Sequence, residues 1–185
     1  MKNILTIANL RKIYHTKKSE TLAVSNFSYD LRENEFVSIV GPSGCGKSTI
    51  LSILAGSLEK SSGDILHKQD ITYGYMLQDD CLLELRTILE NCYLGLEIRH
   101  ELTEENKQYV IQLLERYGLK DFMNSYPSNL SGGMRQRVAL IRTLALKPDI
   151  LLLDEPFSSL DYQTRLKVSE DVLKIIRLEQ KSAIM

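Results

Sequence analysis

Gly41-Pro42-Ser43-Gly44-Cys45-Gly46-Lys47-Ser48-Thr49 carries the spacing G-x-x-x-x-G-K-S. Glycines at 41, 44 and 46 let backbone N–H groups turn inward without Cβ clashes, so the loop can wrap a chain of phosphates. Lys47 is then placed to reach the β- and γ-phosphates of a nucleotide, and the Ser48 hydroxyl to hold Mg²⁺. The plainer alternative is a glycine-rich turn that binds nothing. Against it stands the complete pattern between a β-branched run and an apolar helical face.

Two further segments carry chemistry. Ile150-Leu151-Leu152-Leu153 ends in Asp154-Glu155-Pro156. There one carboxylate, Asp154, can orient Mg²⁺ through its water shell, and the next, Glu155, can polarise an attacking water. Alone, an apolar run ending in Asp-Glu is common at strand ends; its company with the phosphate loop gives it a function. Ser131-Gly132-Gly133 opens a helix, whose free N–H groups and positive dipole end make an anion site with the Ser131 hydroxyl as an added donor. A bare N-cap with two glycines is the alternative at that position.

The elements that must hold these residues follow from apolar periodicity. Ile4 to Leu10 and Thr21 to Leu31 alternate as half-buried antiparallel strands at an edge. Phe36 to Val40 is a compact β-branched run, expected as a buried parallel strand feeding the phosphate loop. Ser48 to Ala55 keeps one apolar helical face and stops at Gly56. A turn is expected at Ser61-Ser62-Gly63-Asp64, then a strand from Ile71 to Leu77 ending at Gln78. Thr87 to Tyr117 reads as helices, with Thr103-Glu104-Glu105 starting one and Gly118 ending it. Gly133 to Ala145 is expected as helix, Ile150 to Leu153 as buried strand, Asp161 to Gln180 as helix, and Ala183-Ile184-Met185 as strand.

The 185 residues, 43% hydrophobic and 25% charged, can bury one substantial core. A net charge of −1 gives no broad attraction to nucleic acid or anionic lipid. Cys45, Cys81 and Cys92 form neither a C-x-x-C pair nor a zinc set, which points to a reducing, cytosolic setting. Met1 to Asn9 lacks a signal-peptide core, and nowhere do about 18 apolar residues run together, so a membrane role is expected only through a partner.

Leu130-Ser131-Gly132-Gly133-Met134-Arg135-Gln136-Arg137, read with the phosphate loop and Asp154-Glu155, resembles ATP-binding cassette (ABC) ATPase subunits over essentially the whole chain. The resemblance implies an α/β fold: a P-loop NTPase core, RecA-like with a mainly parallel sheet, an antiparallel β edge subdomain and an inserted α-helical subdomain at 79–133. Residues 1–185 would form one such domain, C-terminally incomplete. The family continues from a strand like Ala183-Ile184-Met185 into a switch histidine, and His15, His67 and His100 lie elsewhere. ATP and Mg²⁺ are the implied ligands. Gly41 to Thr49, Ser131, Gly132, Gly133 and Asp161 would contact nucleotide; Ser48, Gln78 and Asp154 would serve the metal; Glu155 and Gln78 would serve catalysis. Tyr14 would stack on adenine, although a tyrosine in an edge strand also fills core.

The implied partners are a second ATPase subunit in a head-to-tail dimer, integral membrane permease subunits and, through them, a substrate-binding protein, with no nucleic acid. The implied location is cytoplasmic, on the inner face of the cell membrane. The loop Gln78 to Asn91 and Met134 are similar to nitrate, sulfonate and taurine importers, with Glu84-Leu85 where those often carry Pro-Trp. Two rivals stand beside the importer subunit. One is a soluble ABC machine, for which the stretch from Lys47 to Ser131 is too short to hold a long coiled-coil insertion; the other is a cassette that binds ATP with little turnover.

Overall fold

The computed structural model describes residues 3–16, 19–68, 70–158 and 160–185. Met1 and Lys2 of the N-terminal stretch, and Ser159 of the segment after the acidic pair, lie outside the described residues. The fold is α/β, with the strand and helix pattern of a P-loop NTPase. The chain divides into two compact units: Met1–Tyr75 with Asp149–Asp154 and Gln180–Met185, and Met76–Pro148 with Glu155–Glu179.

The first unit opens with β1 (Asn3–His15) and β2 (Glu20–Arg32), an antiparallel pair. In β1, Leu5 and Ile7 alternate inward. The ladder then slips, and Asn9 takes φ 52°, so that Leu10, out of phase with both, is fully buried as well. β4 (Ser62–His67) pairs antiparallel with the other edge of β1, giving the order β2-β1-β4. The sequence suggests only a turn at its start. Its residues alternate between half-exposed and exposed with none buried, so the apolar signal of a strand is weak.

β3 (Phe36–Val37), α1 (Lys47–Leu54), β5 (Tyr73–Met76), β6 (Ile150–Leu153) and β7 (Ser182–Ile184) complete this unit, the four strands lying in the order β3-β7-β6-β5. β3–β7 and β7–β6 are parallel. All four residues of β6 are buried, which explains its unbroken aliphatic run. β3 is shorter than the expected Phe36 to Val40: the Ile39 amide still donates to the Met185 carbonyl at 2.6 Å, but Val40 is 89% exposed and pairs with no strand. β5 likewise spans less than Ile71 to Leu77. Ile4, Leu5, Leu31, Ile50, Leu51, Ile150, Leu152 and Ile184 belong to one apolar core that packs α1 against both sheets.

The second unit is built on α2 (Ile88–Ile98), α3 (Glu104–Arg116), α4 (Gly132–Leu144) and α5 (Tyr162–Leu178). Each start is written in the sequence. Thr87 and Glu90 form a reciprocal capping box on α2, and Thr103, Ser131 and Asp161 each accept amide protons at the next three N-termini. α2 and α3 pack on α4, and α4 packs on α5. Leu96, Leu113, Leu140, Ile141 and Leu144 are fully buried there, as is Cys92, whose thiol burial pushes up to about 12. Three side chains gather on Glu179 at the end of α5: Arg116 and the Tyr117 hydroxyl, each at 2.6 Å, and the Tyr109 hydroxyl at 3.4 Å.

Candidate functional site

In the first unit the phosphate-type loop runs from β3 into α1. Gly46 sits at the α1 N-cap position with φ 100°, a left-handed conformation open to glycine, and a Cβ there would fall 2.4 Å from the Ala23 carbonyl oxygen. Among the described residues no side chain caps this helix start, so its first N–H groups face the loop. The Lys47 ammonium bridges the carbonyl oxygens of Gly41 and Pro42 at 3.0 and 3.1 Å, which holds its charge over the loop. A cleft of about 530 Å³ opens beside Cys45 and Lys47, walled by Val24, Ile39 and Val40.

The carboxylate of Asp154, at the end of β6, is buried and receives two hydroxyl protons: Ser48 Oγ donates to Oδ1 at 2.7 Å and Tyr75 donates to Oδ2 at 3.2 Å. Burial, and the carboxylate beside it, raise the Tyr75 phenol, which stays a donor. A serine hydroxyl and one carboxylate at the foot of a phosphate loop are hard oxygen ligands of the kind Mg²⁺ takes alongside substrate phosphates and water, so the donor set fits that ion. Tyr14, 39% exposed on β1, brings its hydroxyl to 3.4 Å from Thr49 Oγ1, and the Lys12 ammonium lies over its ring at 5.2 Å. The tyrosine thus stands next to the loop, with one ring face engaged by a cation.

In the second unit, Gln78 lies just past β5, and its amide donates to Ser158 Oγ at 3.2 Å. Ser131 caps α4, accepting from the Met134 amide at 3.4 Å. Gly133 is buried where α4 meets α5 so closely that a Cβ would lie 2.6 Å from Val168 Cγ2. Glu155 is exposed and holds φ 44°, an uncommon conformation for a non-glycine residue, in the turn closed by the Ser158 amide on its carbonyl. Asp161 is the N-cap of α5. Hydrogen bonds from Thr164 and Gln163 hold its carboxyl below the usual aspartate range.

The structure thus gathers Tyr14, residues 41–49 and Asp154 in the first unit, and Gln78, residues 131–133, Glu155 and Asp161 in the second. Asp80, Glu84 and Arg142 carry no role in the sequence reading, and Arg135 appears there only as part of a motif. All four meet around the loop after Gln78.

A strand–loop–helix with a lysine, a serine and a distal aspartate so placed has the arrangement of a P-loop nucleotide site. The profile of the ABC transporter family matches residues 24–158, and the chain belongs to that family as an ATP-hydrolysing, ATP-binding subunit. It is 44% identical to the uncharacterized ABC transporter ATP-binding protein YtlC of Bacillus subtilis, over 99% of this chain and 73% of that one. It is 39% identical to the taurine import ATP-binding protein TauB of Pelagibacter ubique, over 96% and 69%. Among solved structures, the dimeric post-hydrolysis state of the ATP-binding cassette MJ0796 bound to ADP and Pi superposes with TM-score 0.79 at 30% identity, covering 98% of this chain and 86% of that one.

Proposed function

We propose that this chain powers a membrane importer of a small nutrient such as nitrate, a sulfonate or taurine, acting as a head-to-tail dimer under permease subunits. The names of its relatives, which include taurine and bicarbonate transport proteins, support this substrate class. The observation that carries the ATPase chemistry is the Lys47–Ser48–Asp154 arrangement.

In this reading the loop amides of residues 41–49 and the Lys47 ammonium bind the phosphate chain, with Tyr14 against the adenine. Bound Mg²⁺ supplies positive charge that neutralises the β- and γ-phosphate oxygens. Ser48 and Asp154 would hold that ion, with Gln78 near it. Glu155 orients and polarises the attacking water, taking its proton as the Pγ–O bond to ADP breaks. Ser131, Gly132 and Gly133 present the α4 N-terminus to the γ-phosphate of the ATP on the partner subunit, where Asp161 also lies. Residues 79–133 serve as the helical lobe toward the permease. Among the described residues no helix is long and apolar enough to cross a membrane; in this reading the chain sits on the inner membrane face through the permease.

The test has two stages. The purified chain should release phosphate from Mg-ATP and lose this activity in Glu155→Gln. In vesicles with its permease and binding protein, uptake of labelled taurine or nitrate should require ATP. ATP binding without any hydrolysis would overturn the catalytic reading, and ATP-dependent uptake of only cationic or sugar substrates would overturn the substrate class.

A further inference from the structure

Arg135 stands in the first turn of α4, and its own amide donates to the Ser131 carbonyl at 2.9 Å. Its guanidinium grips the loop that follows Gln78: Nε and Nη2 donate to Asp80 Oδ2 and Oδ1 at 2.7 and 3.0 Å, and Nη2 lies 2.9 Å from Glu84 Oε1. A cation in a helix's first turn faces the positive end of the dipole, so this position is unfavourable without its two carboxylates. Arg142, two turns along the same helix, donates to the carbonyls of Asp80 and Cys81 at 2.6 and 2.7 Å. Burial alone would raise the Asp80 carboxyl. The hydrogen bonds from Arg135 and the Leu82 amide, with the charges of Arg135 and Arg142, outweigh that and hold it below the usual aspartate range. The fork-to-carboxylate pair is bidentate, the strong and directional form of such contacts.

We propose that Arg135 is a positioning residue for ATP hydrolysis: through Asp80 and Glu84 it locks the Gln78 loop to the first turn of the Ser131 helix, so that the two segments move as one piece. The inference rests on the functional reading above, in which Gln78 serves the ATP of its own chain and Ser131 that of the partner. A rigid strut between them makes the two composite sites of a dimer interdependent. Glu84, more exposed than Asp80 and with one contact instead of two, is the weaker arm. Arg135 touches no substrate in this scheme; it acts through the two segments that it joins.

Steady-state ATP hydrolysis by the full chain, with ATP affinity from calorimetry, tests it. Asp80→Asn and Arg135→Gln should each lower kcat roughly 3- to 30-fold and reduce the Hill coefficient toward one. ATP affinity should stay within about twofold, because the phosphate loop is untouched. The swap Asp80→Arg with Arg135→Asp should recover part of the loss, and Arg135→Lys, which keeps the charge but not the fork, should not. Glu84→Gln, at an exposed position where folding is not at stake, should show a smaller loss of the same kind. Unchanged kcat and cooperativity in Asp80→Asn and Glu84→Gln would overturn the strut while leaving the ATPase reading intact; so would a parallel loss of kcat and ATP affinity. A wild-type chain that binds ATP but never hydrolyses it would overturn the ATPase reading and the strut together.

Discussion

The Ser48 hydroxyl donates to Asp154 Oδ1 at 2.7 Å, joining the first turn of α1 to the end of β6 across 106 residues. The serine is thereby aimed, and the carboxylate keeps a lone pair on each oxygen for a cation or its water. Asp154→Asn should raise the Mg²⁺ concentration needed for half-maximal ATP turnover roughly 10- to 100-fold, with Ser48→Ala acting in the same direction. A magnesium titration at fixed ATP measures this, and an unchanged midpoint in both variants would remove these residues from the metal site.

Lys47→Ala should weaken ATP binding roughly 10- to 100-fold, the effect of removing one charge-assisted hydrogen bond. Calorimetry reads the change directly. Equal affinity in wild type and variant would dissociate the loop from nucleotide.

Gly46→Ala meets the left-handed φ and the Ala23 carbonyl at once. It should cost about 1–3 kcal/mol in folding free energy, measured by urea unfolding, and reduce ATP affinity as well. Gly44 also has positive φ, but a Cβ there meets nothing within 4 Å. Gly44→Ala should therefore be the milder variant, and the reverse order would contradict the loop geometry.

The three cysteines should separate by reactivity. Cys45 and Cys81 are exposed, whereas Cys92 is buried with its thiol pushed up to about 12. Alkylation with mass-spectrometric readout should label Cys45 and Cys81 and spare Cys92 in the native protein. Saturating Mg-ATP should protect Cys45 alone, and undiminished labelling there would place the nucleotide elsewhere.

The Glu179 cluster sets an alkaline limit. Burial first, and then the carboxylate, push the Tyr109 and Tyr117 phenols up to about 12. Because these folded values exceed the unfolded one of about 10, the stabilisation is complete below pH ~10 and is lost as pH rises toward 12. Thermal melting against pH should fall through that window together with the appearance of tyrosinate absorbance. A flat profile would show that the two phenols titrate normally.

What the sequence shows and what it hides divide along chain distance. The phosphate loop, the aliphatic strand β6 and the N-caps at Thr103 and Ser131 are local patterns, in which neighbouring residues carry the whole signal. β4 escaped because none of its residues is buried, so alternation had no apolar phase to reveal it. β3 ended early because Val40 has no neighbouring strand, a matter of sheet position and not of β-propensity. The hold of Arg135 on Asp80 spans 55 residues, and nothing in the spacing of either residue announces the other. Asp161, the carboxylate that the resemblance gives to nucleotide contact, also caps α5, a second role that only its position at the helix start reveals.

Asn91 adds a consequence of another kind. It is fully buried in α2; its amide donates to the carbonyls of Leu83, Arg86 and Thr87, and its oxygen accepts from the Leu83 amide. One side chain therefore measures the length of the segment before it, since the addition or loss of a single residue between Leu83 and Thr87 would move several of these partners out of reach together. Leu85, inside the same segment, is 94% exposed. Evolution can thus rewrite the letter at that place freely while being held to the count, so diversity among descendants of this chain should appear there as exchanges of residue type and not as insertions or deletions.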